Sequence, residues 1–249
     1  MQEQISTRTS SNADKNNKKL TKITIDILTG RHYESLSYKI IYKIIIMTKS
    51  KDDQISNLLR ELEQIAKTEH LPSIGPIKGK IISDIIKKYK PITALEIGTL
   101  HGYSAILMAE LLSYDDHHGK LITIEIDKNL ADIARKNIEK AGLSQKIEVI
   151  CDNALDVIPT LTGYKFDLIF IDAVKSEYLQ YLKLIEESNL MSRRSVVVAD
   201  NVILFENEMA DYLEYVRNSG KYKSQTTETT LEFNKNVKDA LEISLRLEK

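Results

Sequence analysis

The sequence of 249 residues has one cysteine, no tryptophan, nine glycines and four prolines. The single cysteine, Cys151, excludes an internal disulfide and leaves the redox compartment unconstrained. No apolar run approaches the roughly 20 residues that a membrane-spanning helix needs, and the longest one is interrupted by Lys43. The N-terminus also lacks the charged-then-apolar order of a signal peptide. We therefore expect a cytoplasmic protein with no membrane association.

An excess of charge of one sign is also missing. The formal net charge is −1, so no overall positive field exists to hold a nucleic acid through its phosphates. Hydrophobic residues make up 42% of the chain and charged residues 29%, as in ordinary globular proteins. The length suits one α/β domain with additions.

The first 50 residues differ in composition from the rest. Residues 10–19 are rich in Asn, Ser and Lys, which favours disorder. One hypothesis is that the functional chain begins near Met47 and that the preceding residues are an extension or a mis-set start. The alternative is a genuine tail or an additional helix. We accordingly divide the chain into an N-terminal extension, 1–50, and one domain, 51–249.

Strand-like and helix-like segments alternate through the predicted domain. We expect a first helix capped by Asp52 or Asp53 and a second over 77–89. The predicted strands are 93–97, 121–126, 147–150, 166–171 and 195–199, with helices between them. This alternation predicts βαβ units and a parallel sheet. The period-two segments 224–233 and 241–247 predict an antiparallel pair at its edge.

Two predicted strands end in oxygen-bearing side chains. One leads to Asp172, and the other leads to Asp200 and Asn201. Ligands of parallel α/β sheets bind beyond the carboxyl ends of the strands, so we expect these side chains to converge. An all-oxygen set suits Mg²⁺, with Ca²⁺ or Mn²⁺ as competitors, and disfavours zinc. Lys175 is then a candidate base, although a helix cap, an Asx turn and a surface lysine are the ordinary alternatives for these residues.

A turn with two glycines, 96–104, follows the first strand. Gly98 and Gly102 allow a tight turn and a close approach to a ligand, but the spacing alone is equally typical of a structural turn. Glu125, at the end of the second strand, stands where α/β nucleotide-binding folds place the carboxylate for the ribose. Asp127 is the rival for that role, but we expect it to cap the next helix. The segment 151–154 after the third strand could flank an adenine.

Together these motifs resemble one family. Residues 73–247 are similar to the metal-dependent class I S-adenosylmethionine O-methyltransferases, which include the catechol and caffeoyl-CoA enzymes. The most specific part is Asp-x-x-Lys at 172–175, followed by Asp-Asn at 200–201 and Leu-Glu-Phe at 231–233. The resemblance implies a Rossmann-like α/β fold. Its sheet would be seven-stranded and mostly parallel, with an antiparallel edge strand and helices on both faces.

The resemblance also implies roles for individual residues. Asp172, Asp200 and Asn201 would bind Mg²⁺, and Lys175 would be the general base. Glu232 would hold the second hydroxyl of the substrate. The implied contacts to S-adenosylmethionine are Ile74, Glu96, Gly98, Ser104, Glu125, Asn153, Ala154 and Asp172.

The resemblance has limits at the substrate side. Val174 stands where the catechol enzymes have an aromatic residue, and Pro72 and Phe205 occupy the positions of other pocket walls. We predict a Mg²⁺-dependent O-methyltransferase acting on a small catechol-like or vicinal-diol aromatic substrate.

Two other functions remain open. One is O-methylation of a 5-hydroxyuridine-type nucleotide in tRNA, a nucleic-acid substrate to which the sequence gives less support. The segment 78–90 supplies the basic residues for it, namely Lys78, Lys80, Lys87, Lys88 and Lys90. The other is a non-catalytic subunit with a methyltransferase fold. Members of the resembled family are often dimers, so a homodimer is a further expectation.

Overall fold

The computed structural model describes residues 36–112 and 119–247, with side chains described from Asp53 onward. Residues 1–35, most of the predicted N-terminal extension, lie outside this part. The chain divides into two compact units, 1–53 and 54–249. The sheet and all the predicted site residues belong to the second unit, and the following paragraphs concern that unit.

Strands and helices alternate along the described chain. The strands are β1 (Thr93–Ile97), β2 (Lys120–Glu125), β3 (Ile147–Cys151), β4 (Phe166–Ile171), β5 (Met191–Ala199), β6 (Tyr222–Leu231) and β7 (Asn234–Arg246). The helices are α1 (Leu36–Glu69), α2 (Pro76–Tyr89), α3 (Tyr103–Leu111), α4 (Lys128–Lys140), α5 (Ala154–Val157), α6 (Tyr178–Glu187) and α7 (Ala210–Asn218), with 3₁₀ turns at Ile158–Thr160 and Lys175–Glu177. Among the described residues, none of these helices has the length and apolar content of a membrane span.

All seven strands form one sheet, in the order β3-β2-β1-β4-β5-β7-β6. Four neighbouring pairs are parallel, namely β3–β2, β2–β1, β1–β4 and β4–β5. β7 pairs antiparallel with both β5 and β6. The predicted fold class is confirmed, with the antiparallel pair at the sheet edge and β6 outermost. Because β2 lies on one side of β1 and β4 on the other, the sheet has a switch point between β1 and β4. Ligands of such sheets bind beyond that point.

Alternate residues of the central strands contribute to two separate cores. Phe170 and Val198 pack with α1 to α4 on one face, while Ile169 and Val197 pack with α5 to α7 on the other. Because successive side chains of a strand point to opposite faces, a sheet covered on both sides needs apolar residues at every position. This requirement explains the apolar runs that end both strands, Leu168–Ile171 in β4 and Val196–Ala199 in β5.

Two helix starts show where local signals work and where they fail. Asp127 caps α4 as predicted, since its Oδ1 accepts the N–H of Asn129 at 2.7 Å and of Leu130 at 3.0 Å. The predicted cap at Asp52 or Asp53 is wrong, because α1 already begins at Leu36. No glycine or proline interrupts 36–69, so helix formation continues through the aspartates.

Candidate active site

The carboxyl ends of β1 to β4 border a cavity of about 450 Å³. Most of the predicted site residues line it, namely Ile74, Gly98, Ser104, Glu125, Asn153, Ala154, Asp172, Lys175 and Asn201. Glu96, Asp200 and Glu232 are buried and are not among its lining residues. A larger cleft of about 1070 Å³ lies at the amino ends of β4 and β5, and it contains none of the predicted residues. The smaller cavity is therefore the candidate site.

Gly98 brings the ends of β1 and β4 together. Its φ is +97°, and a Cβ atom there would lie 2.1 Å from the carbonyl oxygen of Asp172. The Gly98 N–H donates to the Ile124 carbonyl at 3.0 Å, and the Asp172 N–H donates to the Ile97 carbonyl at 2.9 Å. Only glycine fits this combination of positive φ and close approach. The turn 96–104 thus lies directly beside Asp172.

Glu125 holds the same loop from the end of β2. Its Oε2 accepts the N–H groups of Thr99 at 3.2 Å and Leu100 at 2.8 Å, and its Oε1 accepts the Asp127 N–H at 3.0 Å. Leu100 has a φ of +50°, a conformation that costs energy for a residue with a side chain. The carboxylate therefore offsets part of the strain of the turn while it also lines the cavity.

Glu96 is an incompletely paired carboxyl group beneath the cavity floor. It is fully buried, its Oε2 accepts the Thr123 hydroxyl at 2.6 Å, and its Oε1 has no hydrogen-bond partner within the described residues. Burial raises the pKa of Glu96 to about 8, although the neighbouring hydroxyls of Ser104 and Thr123 act in the opposite direction. A cationic group bound near this carboxylate would stabilise its ionised form.

Asp200 and Asn201 occupy a rigid turn after β5. The Asp200 N–H donates to the Ile171 carbonyl at 3.0 Å, and the Asn201 N–H donates to the Asp200 Oδ1 at 2.7 Å. Asn201 has a φ of +63°, which asparagine tolerates better than most residues. Burial raises the pKa of Asp200, and the neighbouring Asp172 carboxylate raises it further. Two carboxylates brought together in this way favour a bound cation.

The donor set fits a hard divalent cation. Lys175 Nζ contacts Asp172 Oδ1 at 2.8 Å, Lys78 Nζ contacts Asp200 Oδ1 at 2.6 Å, and Asn201 Nδ2 donates to Asp239. These contacts leave one carboxylate oxygen of each aspartate and the amide oxygen of Asn201 for a cation. No cluster of three or more His, Cys, Asp or Glu suited to a metal occurs within the described residues. Two carboxylates, one amide and several waters are nevertheless the ordinary surroundings of Mg²⁺.

Lys175 is oriented by two partners. Its Nζ lies 2.8 Å from Asp172 Oδ1 and 2.9 Å from the hydroxyl of Tyr178, which in turn lies 3.4 Å from the Asp200 carbonyl oxygen. Tyr178 is fully buried, and sequence reasoning missed it. Its position three residues after Lys175, at the start of α6, was the available signal. The lysine amino group therefore faces Asp172 and Tyr178 instead of the bulk solvent.

Glu232 lies against the N-terminus of α2. Its Oε1 accepts the Lys78 N–H at 2.6 Å, and its Oε2 is buried without a hydrogen-bond partner within the described residues. A Cβ atom on Gly75 would lie 2.9 Å from that Oε2, so a side chain at position 75 would displace the carboxylate. Burial raises the pKa of Glu232, while backbone N–H groups of α2 oppose the shift.

Lys78 is one of the basic residues counted for a nucleic-acid substrate, but its burial leaves it unavailable to bind a phosphate. The side chain is 1% exposed, and its Nζ lies 2.6 Å from Asp200 and 2.7 Å from Asp239. Position 78 shares the buried face of α2 with Ile82 and Ile86, at helical spacing. That spacing was the missed signal. Burial alone would lower the pKa of Lys78, but the two carboxylates outweigh it and raise the pKa.

The fold and the site together define an α/β protein with a nucleotide-type crevice beside an oxygen-ligand site. The chain belongs to the O-methyltransferase family, whose model matches residues 47–246. It is 37% identical over 179 residues to catechol O-methyltransferase B of Danio rerio and 35% identical over 173 residues to catechol O-methyltransferase of Bos taurus. These matches cover 70% and 68% of the chain, and the chain spans 66% and 61% of the length of these relatives.

A solved structure of an O-methyltransferase is also similar to this chain. The O-methyltransferase of Bacillus cereus, in complex with SAH, superposes with a TM-score of 0.67 and 28% identity. The match covers 76% of this chain and 90% of that one. The predicted family resemblance is thereby confirmed.

Proposed function

We propose that this protein transfers a methyl group from S-adenosylmethionine to a hydroxyl of a small aromatic vicinal diol, with Mg²⁺ as the metal and Ca²⁺ or Mn²⁺ as substitutes. One observation carries the proposal. Asp172 lines the cofactor-sized cavity and also belongs to the three-oxygen donor set with Asp200 and Asn201. A methyl donor and a chelated hydroxyl bound at these two places would be adjacent.

The residues around the cavity account for cofactor binding. Glu125 would accept hydrogen bonds from the ribose, and Asn153 with Ala154 would border the adenine. Gly98, Ser104, Ile74 and Asp172 would contact the methionine end, with the Glu96 carboxylate beneath it. The unpartnered Oε1 of Glu96 is consistent with a cationic ligand at that end.

The metal would supply acidification of the hydroxyl, since a bound divalent cation lowers the pKa of a coordinated oxygen. A phenol otherwise has a pKa of about 10 and is a poor nucleophile at neutral pH. Lys175 would accept the hydroxyl proton in its neutral form. The two N–H groups of the neutral Lys175 amine would donate to Asp172 and Tyr178, which leaves the nitrogen lone pair for the substrate proton. S-adenosylmethionine held by the residues that line the cavity would supply the methyl group, and Lys175 would keep the proton that the hydroxyl loses.

The wall of the cavity at the acceptor side is apolar and open. Val174 is 54% exposed, and Pro72 and Phe205 also line the cavity. Such a wall suits a flat aromatic ring and confines it less than bulkier side chains at position 174 would. Glu232 accepts the N–H of Lys78, whose amino group contacts Asp200, and it is the residue we assign to the second hydroxyl.

A methyl-transfer screen tests the proposal. Labelled S-adenosylmethionine is offered with catechols, flavonoids, caffeoyl esters and bulk tRNA, each with Mg²⁺ and with EDTA. We expect Mg²⁺-dependent transfer to at least one of the small diols. Transfer to tRNA alone would favour the nucleic-acid function, and the burial of Lys78 speaks against that outcome. Cytoplasmic location and a homodimer stay predictions.

A further inference from the structure

A buried ionic cluster lies immediately behind the metal-ligand residues. It consists of Lys78 on α2, Asp239 on β7, and the turn residues Asp200 and Asn201. The side chains of Lys78 and Asp239 are 2% and 0% exposed. Taking two charges out of water costs several kcal/mol per ion unless they are well paired. The cluster therefore needs a role beyond general stability.

Asp239 has donors on both of its carboxylate oxygens. Oδ2 accepts from Lys78 Nζ at 2.7 Å and from Asn201 Nδ2 at 2.8 Å, while Oδ1 accepts from the Leu204 N–H at 3.3 Å. With donors at each oxygen, the carboxylate acts purely as an acceptor. It can therefore receive only the nitrogen end of the Asn201 amide.

This restriction decides which end of the amide faces the ligand site. An asparagine side chain has a donor end and an acceptor end, and a rotation of the amide by 180° exchanges them. A cation binds the oxygen and is repelled by the NH₂ group. The backbone of the turn is fixed at the same time, because the Val202 N–H donates to the Ala240 carbonyl at 3.1 Å, next to Asp239.

We propose that Asp239 and Lys78 are positioning residues that lock the Asn201 amide with its oxygen toward the metal. Asp239 holds the amide nitrogen, and Lys78 ties Asp239 to the second ligand, Asp200, through its contact at 2.6 Å. Two metal ligands are thus fixed from behind by one buried pair. The inference rests on the proposed metal-dependent function and adds residues to it that do not touch the metal.

Metal binding by Asp239→Leu tests the inference. Leucine is similar in size to aspartate and offers no acceptor, so nothing at position 239 holds the nitrogen end of the Asn201 amide. We measure Mn²⁺ affinity by the loss of the free-ion electron paramagnetic resonance signal, with S-adenosylhomocysteine present. We expect the affinity to fall by about 10–100-fold, as is typical for outer-shell partners of metal ligands. Affinity for S-adenosylhomocysteine in EDTA should stay at the wild-type value.

Glu242→Leu provides the matched control. Glu242 lies on the same strand, opposite Ala199, and is 1% exposed. Its side chain accepts from Arg217 at 2.9 Å and from Thr226 at 2.6 Å, and neither of these is a proposed metal ligand. The substitution removes an equally buried carboxylate, so we expect wild-type Mn²⁺ affinity. An equal loss in both variants, or wild-type affinity in Asp239→Leu, would overturn the positioning role. Absence of Mn²⁺ binding by the wild type would instead overturn the metal-dependent function itself.

One further measurement does not depend on how well Asp239→Leu folds. In the metal-free wild type, the side-chain amide hydrogens of Asn201 should exchange far more slowly than those of the exposed Asn207. Equal exchange rates would refute the lock.

Discussion

Gly98→Ala is expected to be one of the most damaging single-methyl changes in this protein. Alanine at a φ of +97° costs about 1–2 kcal/mol in backbone strain. The new Cβ would also lie 2.1 Å from the Asp172 carbonyl oxygen, well inside contact distance. Relieving such overpacking typically costs a further ~1–3 kcal/mol. Together the two terms reduce the free energy of unfolding by about 2–5 kcal/mol out of the roughly 5–15 kcal/mol usual for a domain.

Gly163→Ala separates the two terms. Gly163 has a similar φ of +88°, but no atom lies within 4 Å of its added Cβ. Only the backbone term of about 1–2 kcal/mol should remain. Urea unfolding followed by circular dichroism gives both values, and calorimetric titration with S-adenosylmethionine shows whether the loop still binds. Equal destabilisation by the two substitutions would refute the claim that β1 and β4 meet without space at position 98.

Two further variants test the carboxyl group beneath the cavity and the proposed base. Between pH 4.5 and about 8 the folded state keeps a proton on Glu96 that the unfolded state releases. The free energy of unfolding contributed by this group therefore falls as the pH rises through that window. Glu96→Gln removes this titration, so its free energy of unfolding should change less with pH, by up to roughly a few kcal/mol across the window. Urea titrations at several pH values measure this dependence. An unchanged slope against pH would contradict the burial argument. Lys175→Met should lower kcat by about 10²–10⁴-fold, as loss of a general base does, and leave S-adenosylmethionine affinity intact; retained kcat would exclude Lys175 as the base.

The sequence predicts the sheet well because its signals are local. β1 and β4 begin and end at the predicted residues, since each is mostly apolar and ends where Gly98 or Asp172 follows. The ends of parallel strands must meet at one edge, and the placement of Asp172 and Asn201 at one cavity follows from that geometry alone. The turn at Gly98 is also a local feature, because glycine adopts its φ of +97° without the strain that other residues would have.

The remaining features depend on distant contacts. Lys78 looks like a surface lysine until Asp239, 161 residues away, is brought to it by the β5–β7 pairing. Glu232 comes to the N-terminus of α2 through contacts across a similar separation, 154 residues. The start of α1 was misplaced for the opposite reason, because a strong local cap signal at Asp53 competed with an uninterrupted helical segment.

The Mg²⁺ dependence of methyl transfer, compared between wild type and Asp200→Ala, tests the central claim most directly. Both proteins are stripped with EDTA and then titrated with Mg²⁺ at saturating labelled S-adenosylmethionine and a catechol-type acceptor. We predict that the wild-type rate rises from background to a plateau, while Asp200→Ala binds S-adenosylmethionine normally and stays at background. A wild type that keeps its full rate in EDTA would contradict the account.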